Sequence, residues 1–176
     1  MSVANQYFSA VDQLSDTFGS EVDDGILGLA YPSLSNMGQS PFVNSAKKQG
    51  ALKAAEFAFK LAHDGSELYL GGTNDAHYSG AIEYHSVVGK TGFWQLGSAH
   101  VSANSTVAVS NIKTIIDSGT TIIYGPPEQV DELYKHIDGA QLWDPYNGFY
   151  TYPCKHAPST VAFNWGGADW TISPEK

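Results

Sequence analysis

The sequence contains one cysteine, two methionines and only 9 Lys plus Arg against 18 Asp plus Glu in 176 residues. A lone cysteine excludes an internal disulfide framework and any cysteine-built metal cluster. Cys154 is therefore a buried or idle thiol, or half of a disulfide whose partner lies outside this chain. The scarcity of basic residues, with a net charge of −9, argues against a nucleic-acid partner, because the phosphate backbone is bound by clustered Lys and Arg. No apolar run approaches the roughly 20 residues that cross a bilayer, so no membrane association is expected. Met1-Ser2-Val3 is not followed by a basic region and a continuous apolar stretch, so no export signal is expected here, as would also hold for a fragment starting after one. Internal repeats and low-complexity linkers are also missing.

What remains is material for a sizeable core, with 42% apolar and 12% aromatic residues, 18 glycines and recurrent Val, Ile, Thr and Tyr. This mixture favours turn-rich β-structure over a helical bundle. Along the chain, "NQYFSAVDQL" (5–14) suits a strand and turn, and "SDTFGSEVDDG" a polar loop. "ILGLAYPSLS" begins as a short buried strand in which Gly28 would admit another backbone, and Pro32 ends it. "SPFVNSAKKQG" reads as a helix with Ser40 as N-cap, Pro41 in the first turn, Lys47 and Lys48 at the C-terminal end, and Gly50 as its stop. "EFAFKLA" places Phe57, Phe59 and Leu61 on one face, and the Asp64-Gly65 turn leads into "SELYLGG". "GAIEYHSVV", "GFWQLGSAHVS" and "TVAVSNIKTIID" continue the strands. "PPEQVDELYKHIDGA" is a second helix with a Val130, Leu133, Tyr134, Ile137 stripe and Gly139 at its end. "GFYTYPC", "TVAFNWGG" and "ADWTISP" read as short strands. The expected class is mainly β, with antiparallel sheets and two short helices.

Few segments carry chemistry. His63, His77, His85, His100, His136 and His156 show no metal-ligand spacing and read as surface or structural residues. Gly71-Gly72-Thr73 lacks the basic residue of a phosphate loop, and no Gly-x-Ser-x-Gly elbow is present. In "SDTFG", Phe18 separates the Asp-Thr pair from Gly19, so this is a loop. Trp94, Trp143, Trp165 and Trp170 could stack on carbohydrate, but tryptophan in such strands is usually a packing residue. Asn104-Ser105-Thr106 is a glycosylation sequon, meaningful only in a secreted chain.

"KTIIDSGTTIIYGPP", Lys113 to Pro127, differs from all of these. Paired isoleucines bracket Asp-Ser-Gly-Thr-Thr, which predicts a strand, a sharp turn and a strand, both arms buried. Such a turn can fix the Asp117 carboxylate. Gly119 leaves room for a backbone N–H to face it, and Ser118, Thr120 and Thr121 offer hydroxyls. Aspartate is also an ordinary turn residue, so Asp-Ser-Gly alone does not establish a site.

With that segment in hand, the chain strongly resembles the pepsin-like family of aspartic endopeptidases, of the eukaryotic, secreted fungal type. "DDGILGLAYPSLS" resembles the end of the family's N-terminal lobe, and "GSELYLGGTNDAHYSGAIEYHSVV" the strands crossing between lobes. "GFWQL" resembles the strand after them, and "TIIDSGTTIIYGPP" the catalytic loop of the C-terminal lobe. The motifs follow family order and spacing across nearly all residues. The resemblance implies a partial acid-protease fold, with 1–85 as the end of the N-terminal lobe and inter-lobe strands, and 86–176 as the first part of the C-terminal lobe.

It also implies the chemistry. Two aspartates, one from each lobe, hold a water and share a proton. One takes a proton from the water as it attacks the peptide carbonyl, and the other donates to the carbonyl oxygen. No metal or organic cofactor is implied. Asp117 matches the C-terminal-lobe aspartate, with Ser118, Gly119 and Thr120 completing its loop. Thr121 matches a position near the substrate backbone, and Ile26 an apolar wall of the pocket before the cleaved bond. Asp23 departs from the aromatic residue often found at its position. The first Asp-Thr-Gly and the Tyr-bearing hairpin would precede Met1, and Cys154 would pair beyond Lys176. The chain is thus expected to be an internal fragment holding half of a two-part catalyst. Expected partners are a peptide or protein substrate, a second copy of the chain in a homodimer, or the missing protease segments. The alternative is a non-catalytic scaffold that binds extended peptide. The resemblance implies an extracellular or acidic vacuolar location.

Overall fold

A computed structural model of the chain describes residues 1–20, 22–158 and 160–172. The fold is mainly β, with antiparallel sheets and two α-helices, and divides into two compact units. The first comprises Met1–Ile82 with Thr91–Phe93, and the second Glu83–Lys90 with residues 94–176.

In the first unit, α1 spans Phe42–Lys48 and packs Val43 and Ala46 with Leu52 into a small buried cluster. Val3, Leu29, Phe42, Phe57 and Leu70 lie against it. Each fully buried Val or Leu side chain contributes about 1.5–3 kcal/mol, so three residues make a modest core. Pro41, not Ser40, is the N-cap residue, and its lack of an N–H costs the helix nothing there. The helix stops as expected, with Lys47 and Lys48 in its last turn and Gly50 at φ 75°. Strands β1 (Phe57–Lys60) and β2 (Glu67–Leu70) form an antiparallel hairpin, with Phe57 and Phe59 edge to face at 6.0 Å.

Two expected strands are absent from this unit. Residues 5–14 and "ILGLAY" are not strands. Tyr7, Phe8, Ile26 and Leu27 are all exposed, and nothing lies within 4 Å of where a Gly28 side chain would stand. A strand requires a ladder of backbone partners, and neither segment joins a sheet; in "ILGLAY" the Tyr31 N–H donates to the Gly92 carbonyl at 3.1 Å, a single bond rather than a ladder. Pro32 begins a 3-10 turn, Pro32–Leu34, in place of ending a strand.

The second unit is built on β3 (Gln95–Ala103), flanked by β4 (Thr106–Ile115) and β7 (Val161–Asn164), with β8 (Trp170–Ile172) beyond β7. All pairs are antiparallel. Ala99, Val101, Ala103, Val109 and Ala162 are buried, and α2 (Pro127–Tyr134) packs on β3 and β4 with Ile137 buried just beyond it. "GAIEYHSVV" contributes only an isolated bridge, Val87 to Leu96. A separate hairpin joins β5 (Gln141–Asp144) to β6 (Phe149–Thr151), and β5 was not foreseen from its sequence. Its turn closes on the Asp144 carboxylate, which accepts from the Tyr146 and Asn147 amides and, at 2.6 Å, from the Asn147 side chain. Tyr134 stacks on Tyr150 at 4.3 Å, and the Tyr150 hydroxyl donates to Asp131, tying α2 to β6. Cys154 is a free, exposed thiol, so the buried alternative is ruled out.

Glu83 fastens the β7–β8 turn. Its carboxylate accepts the Ala168 N–H at 2.8 Å and meets His85 Nε2 at 2.5 Å. Gly167 permits this approach, since a side chain there would overlap the carboxylate. The Ala168 N–H foremost, then His85, hold the Glu83 carboxyl below the usual range against an opposing desolvation cost.

Two outcomes follow. Gly92, at φ 85°, faces Ser33 Oγ and would put a Cβ 2.8 Å from Leu34 Cγ, whereas Gly80, at φ 80°, faces open space. Gly92→Ala should cost about 1–3 kcal/mol more than Gly80→Ala in urea unfolding, the excess arising from overlap. For Glu83, the folded state has the lower pKa, so its contribution is complete above the ordinary carboxylate value of about 4.3 and is lost as pH falls through the folded value. Glu83→Gln should therefore flatten the acid limb of stability against pH, read as urea midpoints from about pH 6 down to pH 3.

Candidate active site

The described residues of β4 carry the chain to Asp117, and three hydrogen bonds set the approach. The Trp165 indole N–H donates to Thr114 Oγ1 at 2.8 Å, and the Ile116 N–H donates to the Trp94 carbonyl at 3.0 Å. The Thr120 N–H then reaches back to the Asp117 carbonyl at 3.4 Å, a long bond that closes the turn.

Within the turn, both carboxylate oxygens are engaged. The Gly119 N–H donates to Asp117 Oδ1 at 2.9 Å, and the Thr120 hydroxyl donates to Oδ2 at 2.6 Å. This is an aspartate turn in which the side chain accepts from the backbone two residues on. A Cβ at Gly119 would stand 3.3 Å from Oδ1, tighter than ordinary contact, so a side chain there would crowd the carboxylate. The Thr120 hydroxyl, then the Gly119 N–H, hold the Asp117 carboxyl below its usual range. Donors to the charged form stabilise it. The geometry thus yields an oriented, exposed carboxylate anion, able to accept a proton or bind a water, and locked in rotation by two donors.

Ser118 and Thr121 are exposed beside it. Ile26 belongs to the first unit and is 83% exposed. The turn is as expected, but its arms are not buried strands. Ile115, Ile116 and Ile122 are about half exposed and Ile123 is 70% exposed. Residues 121–126 pair with no strand, and β4 lies at the edge of its sheet, so these isoleucines are covered only in part. Beyond them, Gly125 lets the chain pass α2, since a Cβ there would be 2.9 Å from Val130 Cγ2.

Sequence reasoning missed the supporting roles of Trp94 and Trp165. Both are far from Asp117 in the chain. Trp94 acts through its backbone carbonyl, which residue type does not signal. No local pattern distinguishes a tryptophan whose indole anchors a strand end, as Trp165 does, from one that fills a core. Among the described residues, no group of three or more His, Cys, Asp or Glu is arranged to hold a metal ion. No helix among them is long and apolar enough to cross a membrane.

The model of the eukaryotic aspartyl protease family matches residues 1–176. The chain belongs to this family of hydrolases, and its antiparallel sheets and two helices suit part of a pepsin-like fold. It is similar to an aspartic protease of Phaffia rhodozyma, with 39% identity over 178 residues, covering 98% of this chain and 44% of the relative. Cathepsin D of Bos taurus is 34% identical over 185 residues, covering 99% of this chain and 46% of that protein. Cathepsin E of Rattus norvegicus is 32% identical over 178 residues, covering 96% and 44%. The chain therefore spans less than half the length of these relatives.

The two donors on Asp117 can be separated by substitution. Thr120→Val should raise the Asp117 pKa toward the ordinary aspartate value, and Thr120→Ser should retain the lowered one. Carboxyl-carbon NMR titration reads this directly, and an unchanged midpoint in Thr120→Val would remove the hydroxyl as the leading cause.

Proposed function

We propose that the chain is part of an aspartic endopeptidase in which Asp117 is one of two catalytic carboxylates. The observation that carries this reading is the pair of donors on its oxygens, which orient the group for proton transfer. Ser118, Gly119 and Thr120 complete the loop, Thr121 lies beside the substrate backbone, and Ile26 lines a substrate pocket. The substrate is a peptide or protein, and the mechanism uses neither metal nor organic cofactor.

The chemistry needs a second carboxylate for a physical reason. An aspartate held below its usual pKa is a ready anion and a weak base. Beside a like charge, the pair retains one proton between them. The anion then removes a proton from water as the water oxygen bonds to the peptide carbonyl carbon, while the protonated partner delivers its proton to the carbonyl oxygen. Asp117 carries the only Asp-Ser-Gly or Asp-Thr-Gly in these 176 residues. The second carboxylate would come from further protease segments, or from a second copy contributing its own Asp117. The working environment is extracellular or an acidic vacuolar compartment.

A second reading, a non-catalytic scaffold that binds extended peptide, draws on the exposed isoleucines flanking Asp117 and on the outer edge of β4, which no strand among the described residues pairs with.

Digestion of an unstructured protein at about pH 3–5, with and without a transition-state-like inhibitor, separates the readings. Mass in solution is measured in parallel. The monomeric chain should cleave about 10²–10⁴-fold more slowly than a preparation in which a second Asp loop is supplied. Inhibitor-sensitive cleavage by the strict monomer, abolished in Asp117→Ala, would overturn the two-part reading. Cleavage insensitive to Asp117→Ala would remove Asp117 from the mechanism. Peptide binding without hydrolysis in every preparation would favour the scaffold.

A further inference from the structure

Asn104-Ser105-Thr106 is the only Asn-x-Ser/Thr sequon in the sequence, and the chemistry at Asp117 makes no use of it. Its first two residues form the two-residue turn between β3 and β4, with φ of 50° and 65°. Two successive positive φ values match the hairpin turn whose twist suits antiparallel strands. Asn104, Ser105 and Thr106 are all exposed. The turn is braced from behind, where the Asn104 N–H donates to the Thr160 carbonyl at 2.9 Å and Ala103 pairs with Thr106. Asparagine tolerates left-handed backbone, which accounts for Asn104 as a turn residue. The turn sets no requirement for a hydroxyl two residues later, and Thr106 supplies one.

We propose that Asn104 is an N-glycan acceptor, modified when the chain passes through a compartment holding a lipid-diphosphate-linked oligosaccharide. In the transfer, Asn104 Nδ2 forms a bond to the anomeric carbon of the oligosaccharide. The bond from that carbon to the diphosphate oxygen breaks, its electron pair leaves with the lipid diphosphate, and the amide gives up one proton to a base. The extended nascent chain presents the Asn and the Thr hydroxyl together, and the folded hairpin then carries the sugar at an exposed tip.

The position has a consequence. The sugar stands at the head of β4, an edge strand, where bulk blocks pairing with another chain. Ten residues of β4 at about 3.3 Å each put the tip about 30 Å from the Asp117 end. The modification therefore leaves the carboxylate open, and its presence is independent of whether Asp117 cleaves anything.

The full chain is expressed in a eukaryotic host behind a heterologous secretion signal, and both secreted and cell-retained material are analysed. Intact mass should show one N-glycan, removed by peptide N-glycosidase with conversion of position 104 to aspartate in the tryptic peptide. Thr106→Ala, which keeps the turn residues, and Asn104→Gly, which suits the positive φ, should each lose the glycan completely. Unmodified Asn104 in all of the translocated wild-type chain, or a glycan persisting in Thr106→Ala, would overturn the assignment.

Discussion

β3 is hydrogen-bonded on both sides, to β4 and to β7, and this double pairing is what the second unit depends on. A strand with both edges occupied satisfies its backbone internally and can be buried, and Ala99, Val101 and Ala103 are. Left-handed residues at Ser98 and Asn111 accompany breaks in the β3–β4 register, which bend and twist the pair without separating it. The direction of β4 follows from that ladder, and the direction of Asp117 from β4. Trp94 lies just before β3 and Trp165 just after β7, so the side-chain and backbone bonds that steady the last residues of β4 come from the same framework.

The electrostatics of the unit follow one pattern. Glu83, Asp117, Asp131 and Asp144 are all held below the ordinary carboxylate range by hydrogen-bond donors. At Glu83, Asp131 and Asp144 the partners join segments or shape turns, through Ala168 and His85, Lys135 and Tyr150, and Asn147. At Asp117 both donors belong to its own turn and leave the carboxylate facing outward. The same physical device joins segments or shapes turns in three places and leaves an oriented carboxylate exposed in one.

Local signals in the sequence located the helices and most strands of the second unit. Proline and glycine bounded α1, and proline opened α2, which ends at Tyr134, short of the expected Gly139 stop. Alternation marked β1, and a β-branched run marked β4. The aspartate turn was legible for the same reason, since Asp, Gly and Thr interact within four residues. What failed was non-local. "ILGLAY" and "NQYFSAVDQL" have strand-like composition, but a strand exists only where a neighbour accepts its hydrogen bonds. β5 escaped notice because its short run is defined by the Asp144 turn more than by apolar alternation. Burial of the isoleucines beside Asp117 was inferred from their type, and type does not reveal whether a covering layer is present.

The Asp117 turn closes over only three residues, from the carboxylate to the Thr120 hydroxyl. Ordering so short a loop costs little chain entropy, and contacts of such low sequence separation form early in folding. The arrangement is therefore portable, a property of four consecutive residues that does not depend on distant parts of the chain for its two carboxylate bonds. A second carboxylate would be a partner of high sequence separation or of another molecule, and its arrival would be slow and concentration-dependent by comparison. Forming the turn and meeting a distant partner are separate thermodynamic events, and the first can persist where the second never occurs.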